Sequence, residues 1–142
     1  MSRILVKEVG EQPQIMETEK KYRTDACREH IFPIAEEYAE MDYVILAENE
    51  NCLITVGVDD NGLAKNLKTN FLIETSSRDF PIQKIVGRCV FTKIKRPEKG
   101  EVYDYELEDL SEQDVKNIYS ILNPKYQKYL REISLTTVVD MP

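Results

Sequence analysis

The strongest charge feature of this chain is a run of acidic residues in its second half, here called the acidic segment (residues 101–114). Its carboxylates belong to Glu101, Asp104, Glu106, Glu108, Asp109, Glu112 and Asp114. No lysine or arginine interrupts it between Lys99 and Lys116. Closely spaced carboxylates can imitate nucleic-acid phosphates and enter a basic groove, or they can hold a divalent cation for hydrolysis. The ordinary alternative is a solvated loop followed by a helix start, where acids are favoured anyway.

We predict that this segment contacts the basic surface of another protein. The predicted partner-binding residues are Glu101, Asp104, Glu106, Glu108 and Asp109. Metal catalysis is the weaker interpretation, because no Asp-x-Asp or Glu-x-Lys pattern accompanies the cluster on a paired strand.

A second concentration of charge is basic and lies in the middle of the chain. Its members are Lys65, Lys68, Arg78, Lys84, Arg88, Lys93, Lys95 and Arg96. If these side chains converge, they form a small pocket for an anion such as a phosphorylated nucleotide. The residues predicted to bind that ligand are Asn61, Asn70, Arg78, Lys84 and Arg88. Solvent-facing positions that alternate along a strand are the ordinary alternative.

Few residues are suited to catalysis. His30 is the only histidine, and Cys27 precedes it by three positions on one face of a predicted helix. A zinc site would need two further ligands from elsewhere, so a packed or partly exposed pair is the simpler interpretation. The five glycines are scattered and form no phosphate-binding loop. We therefore predict no metal, no cofactor and no enzymatic activity; a hydrolase is the third alternative.

Length and composition are those of one globular domain. The chain has 142 residues, of which 42% are apolar and 32% charged. We predict a single α+β domain over residues 1–142, with 139–142 as a disordered tail. Apolar runs are too short for a membrane span or a signal peptide.

Three widely spaced cysteines build no disulfide framework, which fits a reducing cytoplasm. The net charge of −7 disfavours direct nucleic-acid binding and favours basic partners.

The middle of the chain predicts a small sheet. Apolar runs at Tyr43–Ala47 and Cys52–Val58 are predicted strands. Asn61-Gly62 then predicts a two-residue hairpin turn, because this dipeptide readily supplies two positive φ angles. Residues 64–74 are predicted as an irregular loop between short strand pieces. Gln83–Lys95 is predicted as one long central strand, since apolar residues occupy both of its parities.

Before this sheet, Ile4–Val9 and Gln14–Glu17 predict two paired strands. Residues 24–32 predict a helix, with Thr24 or Asp25 as N-cap and Pro33 as its stop. Residues 34–41 have helix propensity but also alternate like a strand; we favour a helix.

After the acidic segment, Ser111 predicts the N-cap of a helix that Asn123-Pro124 breaks or kinks. Three tyrosines of the final helix, Tyr119, Tyr126 and Tyr129, predict a core or homodimer contact, with a base-stacking platform as the alternative. Leu135–Val139 could add an edge strand. The predicted fold is therefore α+β: a mostly antiparallel sheet of about five strands covered by two or three helices, with a C-terminal helix pair.

Short motifs over residues 3 to 120 resemble a domain-of-unknown-function family of small proteins encoded by bacteriophages and mobile elements. The matching motifs are Ile4-Leu5-Val6, Gly10-Glu11-Gln12-Pro13, Val44 to Glu50, Gly62-Leu63 to Asn70, Ile85-Val86-Gly87 and Leu110 to Asp114. The chain departs from the family pattern at Phe32-Pro33, where a Gly-Gly usually ends the first helix. Its predicted helix at 35–40 replaces a strand, and its C-terminal extension is longer.

The resemblance implies an origin in a phage or mobile element and brings no known activity with it. Together with the acidic segment, it predicts a non-enzymatic inhibitor of a bacterial defence system, of the anti-CRISPR or anti-restriction type. The expected partner is a host protein with a basic surface, such as a nucleic-acid-binding defence protein. The alternative prediction is a module that sequesters a phosphorylated nucleotide signal.

Overall fold

The computed structural model describes residues 1–32, 39–75, 78–97 and 104–139. The fold is α+β, as predicted. In chain order its elements are β1 (Ser2–Lys7), β2 (Gln14–Thr18), α1 (Arg23–Ile31), β3 (Met41–Glu48), β4 (Cys52–Asp59), β5 (Thr69–Glu74), β6 (Ile82–Val86), β7 (Cys89–Lys95), β8 (Leu107–Glu108), α2 (Glu112–Ile121) and α3 (Pro124–Val139). No helix in the described part of the chain is long and apolar enough to cross a membrane.

The main sheet is antiparallel and contains six strands. Five of them lie side by side in the order β2-β1-β7-β4-β3. The short β8 pairs with Lys93 and Ile94 of β7, beyond the end of the β1 pairing. A separate two-stranded sheet is formed by β5 and β6.

Each face of the main sheet carries its own apolar core, because successive strand residues point to opposite sides. On one face Ile4, Val6 and Val90 pack against Cys27 and Ile31 of α1. The opposite core combines the main sheet with the β5–β6 hairpin and α2; its most buried members are Leu5, Val56, Cys89, Phe91, Ile85, Leu110 and Ile118. Both parities of β7 are therefore buried, which explains its apolar composition.

The predicted single strand over Gln83–Lys95 is wrong. Gly87 adopts a φ of +74° and divides the run into β6 and β7, which belong to different sheets. A Cβ at this position would lie 2.7 Å from Leu67 Cδ1. The positive φ is what favours glycine here, because the Leu67 methyl is the free end of a partly exposed side chain that can shift.

The predicted two-residue hairpin at Asn61-Gly62 is also wrong. Neither residue has a positive φ; in this loop the positive φ is at Asn66, at 56°. The preceding strand β4 pairs with β3 and β7, and the next strand, β5, pairs with β6. Gly62 is needed for a different reason, since a Cβ there would meet Val86 Cγ2 at 2.7 Å.

Of the two predicted helix N-caps, the one for α1 is wrong and the one for α2 is confirmed. Neither Thr24 nor Asp25 caps α1: the N-cap is Tyr22, which makes no side-chain capping bond. Ser111 caps α2 as predicted, and it forms a reciprocal capping box with Asp114.

The chain breaks at Asn123-Pro124 as predicted, between α2 and α3. The edge strand expected over Leu135–Val139 is wrong, because α3 continues as a helix to Val139. The predicted irregular stretch 64–74 contains the regular strand β5. Of the predicted helix at 34–41, positions 34–38 lie outside the described residues, and Met41 begins β3.

Candidate functional site

The acidic segment is engaged within the protein itself. Asp104 sits beside the start of α1, where its Oδ1 accepts a hydrogen bond from Thr24 Oγ1 at 3.0 Å. Asp109 Oδ1 accepts a hydrogen bond from the backbone N–H of Arg3. These carboxylates connect the segment to α1 and β1, so part of its acidity serves the fold.

The other described members of the predicted partner-binding set are in ion pairs. Glu106 lies 3.5 Å from Lys21 and 3.4 Å from Lys95, and Glu108 lies 3.9 Å from Lys95. Hydrogen bonding with Lys95 and the positive charge of Lys21 lower the pKa of Glu106. Glu101 lies outside the described residues. Intramolecular cations thus partly neutralise the segment.

The five predicted ligand-binding residues do not form one pocket. Asn61 lies in the loop after β4, where its N–H donates to Asp59 Oδ1. Arg78 is exposed in the connection between β5 and β6. Arg88 pairs with Glu8 at 2.6 Å. Only Asn70 and Lys84 line the same cavity.

That cavity, here called the β5–α3 cleft, has a volume of about 440 Å³. Its described lining residues are Thr69, Asn70, Phe71, Leu72, Lys84, Gln127, Arg131, Ser134 and Leu135. The first four belong to β5 and the last four to α3, with Lys84 coming from β6. Sequence reasoning missed Arg131, because its helix is distant in the chain and no local pattern marks it.

The electrostatics of the β5–α3 cleft are one-sided. Lys84 and Arg131 are both exposed, and neither forms an ion pair with any other described residue. None of the described lining residues is acidic. Within a chain of net charge −7, this places around one concave site two positive charges that no described carboxylate compensates.

Gln127 of α3 hydrogen-bonds to the backbone of β5 in the lining of the cleft. This side chain is only 8% exposed, and its Oε1 accepts from the Leu72 N–H at 2.8 Å. Its Nε2 donates to the Leu72 carbonyl at 3.0 Å and to the Ile121 carbonyl at 2.8 Å. Gln127 thereby satisfies the backbone N–H and C=O of Leu72 in β5, which could otherwise pair with an extended peptide.

A second cavity, of about 430 Å³, is lined by three more of the predicted basic residues. Lys65, Lys68 and Arg88 line it together with two acids, Asp59 and Glu8. Lys65 lies 2.6 Å from Asp59, and Arg88 pairs with Glu8. Because two of its three cations are already compensated, this cavity is less suited to an anion than the β5–α3 cleft.

The residues considered for chemistry are poorly activated. Burial raises the pKa of the Cys27 and Cys89 thiols to about 12, so neither is a thiolate at neutral pH. Burial also lowers the pKa of His30, although the nearby Glu29 opposes this shift. No group of three potential metal ligands occurs in the part of the chain that the structure describes.

A buried arginine is the main polar feature that sequence reasoning missed. The Arg23 side chain lies between two aromatic rings, with Cζ 3.6 Å from the centroid of Tyr43 and 4.5 Å from that of Tyr105. It also donates to Thr55 Oγ1 at 3.2 Å. These contacts join α1 to the main sheet, and no pattern in the sequence predicts them.

The chain matches no protein-family model, and neither a curated protein nor a solved structure matches it.

Proposed function

We propose that this protein acts by binding, without catalysis, and that it holds a small anionic ligand in the β5–α3 cleft. The observation that carries the proposal is the pair of cations, Lys84 and Arg131. They border one cavity, have no ion-pair partner among the described residues, and meet no acid in its described lining.

The cleft suits a small ligand in both size and charge. Its volume of about 440 Å³ falls within the range of small-molecule sites, roughly 300–1,000 Å³. Charge-assisted hydrogen bonds are about twice as strong as neutral ones, and the arginine fork matches the geometry of a phosphate. The net negative charge elsewhere disfavours a nucleic-acid polymer, so a small anion is the better occupant.

Binding without conversion would sequester the ligand. Neither the Cys27 thiol, the Cys89 thiol nor the His30 imidazole lines the cleft. Capture of a phosphorylated nucleotide signal would lower its free concentration in the cell, and a mobile element could interrupt a host response in this way.

A thermal-shift screen with linear and cyclic nucleotides tests the proposal. Ligand at about 100 times its Kd stabilises the folded state by roughly 2.7 kcal/mol, which gives a measurable rise in Tm. Lys84→Ala and Arg131→Ala should each reduce affinity about tenfold, and Lys125→Ala on the same helix should behave as wild type. If no nucleotide raises Tm, or if both cleft variants bind like wild type, the proposal is wrong.

The acidic segment carries a second candidate function, which is inhibition of a bacterial defence protein through its basic surface. The favouring observation is that Glu106, Glu108 and Asp109 remain accessible to solvent despite their internal contacts. Such pairs contribute little at a surface, so a partner's cations could replace Lys21 and Lys95.

Charge reversal distinguishes this candidate from the first. The triple variant Glu106→Lys, Glu108→Lys, Asp109→Lys should fail to capture the host partner in a pull-down. The matched control carries the same charge change at three exposed acids elsewhere, Glu19, Glu50 and Asp60. Equal capture by both triple variants would exclude a specific role for the acidic segment.

A further inference from the structure

Two side-chain amides line the β5–α3 cleft, and neither has a donor hydrogen to spare. Nδ2 of Asn70 donates to the Lys7 carbonyl at 3.0 Å and to the Gly87 carbonyl at 2.8 Å. Nε2 of Gln127 donates to the carbonyls of Leu72 and Ile121. A carboxamide carries two donor hydrogens, so both groups are fully committed within the fold.

Their oxygens are engaged as well. Asn70 Oδ1 accepts from the Lys7 ammonium, and Gln127 Oε1 accepts from the Leu72 N–H. Asparagine and glutamine read the edge of a base when their amides offer a donor and an acceptor together. That readout is closed to both residues of this cleft.

The remaining lining groups favour a ligand that carries a negative charge and also has an apolar part. Lys84 and Arg131 attract an anion, and the hydroxyls of Thr69 and Ser134 can turn to suit it. Leu135 is 68% exposed beside them and offers apolar surface to the uncharged part of a ligand.

We infer that the cleft binds nucleoside 5′-monophosphates as a class, through the phosphate and one apolar contact, without distinguishing the bases. This inference rests on the proposed function of the cleft and specifies its ligand. With Lys84 and Arg131 engaged on the phosphate and both amides committed within the fold, the described lining keeps no cation or amide to read a base edge, so no base should be preferred.

Calorimetric titration of the full chain tests this with four probes, the 5′-monophosphates of adenosine, guanosine, cytidine and uridine. Their Kd values should agree within about threefold, and inorganic phosphate should bind at least about tenfold more weakly. Leu135→Ser, an exposed substitution, should weaken all four nucleotides about fivefold and leave inorganic phosphate unchanged.

The outcomes separate the inference from the proposal beneath it. A preference of tenfold or more for one base overturns the inference while the anion site stands. If inorganic phosphate binds as tightly as the nucleotides, the inference is likewise overturned and the anion site stands. If no probe binds wild type, or if Arg131→Ala binds as well as the Lys125→Ala control, both the inference and the proposed function fall.

Discussion

Replacement of Gln127 by methionine should destabilise the protein strongly although the volume of the side chain is nearly kept. Methionine cannot donate to the Leu72 and Ile121 carbonyls and accepts only weakly from the Leu72 N–H. Leu72 is 5% exposed, so water cannot easily replace the lost partner. The substitution therefore leaves at least two backbone groups buried and unsatisfied.

The expected cost follows from those two groups. A buried donor or acceptor without a partner costs about 1–3 kcal/mol. With two such groups, and some offset from the more apolar side chain, we expect the free energy of unfolding to fall by about 3 kcal/mol. For a chain of this size each kcal/mol lowers Tm by roughly 3 °C, so Tm should fall by about 10 °C.

Urea unfolding and thermal melting measure this effect, and hydrogen exchange at the Leu72 amide locates it. The matched control is Gln113→Met on α2, where the glutamine is exposed and its side chain bonds to Asn117 alone among the described residues. That variant should change stability by less than about 0.5 kcal/mol. A loss below about 1 kcal/mol for Gln127→Met, or an unchanged exchange rate at Leu72, would refute the assigned role.

Three further predictions concern other contacts. Asn70→Ala should cost about 2–3 kcal/mol in urea unfolding, because it removes a partner of the buried Lys7 ammonium, whose pKa burial already lowers; a loss under 1 kcal/mol would contradict this. Gly87→Ala should cost more than Gly10→Ala, since both have positive φ but only at Gly87 would the added Cβ force Leu67 Cδ1 to shift; equal melting temperatures would exclude a cost from that shift. Burial works to raise the pKa of Asp114, but hydrogen bonds in its capping box and to its lysine partner outweigh this and lower it. The stability that this carboxylate adds is therefore present above the ordinary aspartate pKa of 3.8 and is lost as pH falls below it through the lowered pKa. In urea unfolding over that pH range, the free energy of unfolding of Asp114→Asn should consequently fall less on acidification than that of the wild type.

The sequence determined the elements whose signals are local. Short apolar runs rich in β-branched residues predicted β1, β3 and β4, because such residues favour a strand over only a few positions. Ser111 with Asp114 predicted the start of α2 through groups three residues apart. The division of Gln83–Lys95 escaped prediction, because apolar residues continue past Gly87 and an isolated glycine can equally lie within one continuous strand.

Tertiary structure alone decided the candidate site. Of the predicted ligand residues it united only Asn70 and Lys84, and it added Arg131 and Gln127 from a helix that the sequence did not connect to them. It also supplied the acidic segment with partners from other elements, including the Arg3 backbone and Lys95. Charge composition counts the acids and bases of a chain, but which of them compensate one another depends on distances that only the packing of strands and helices sets.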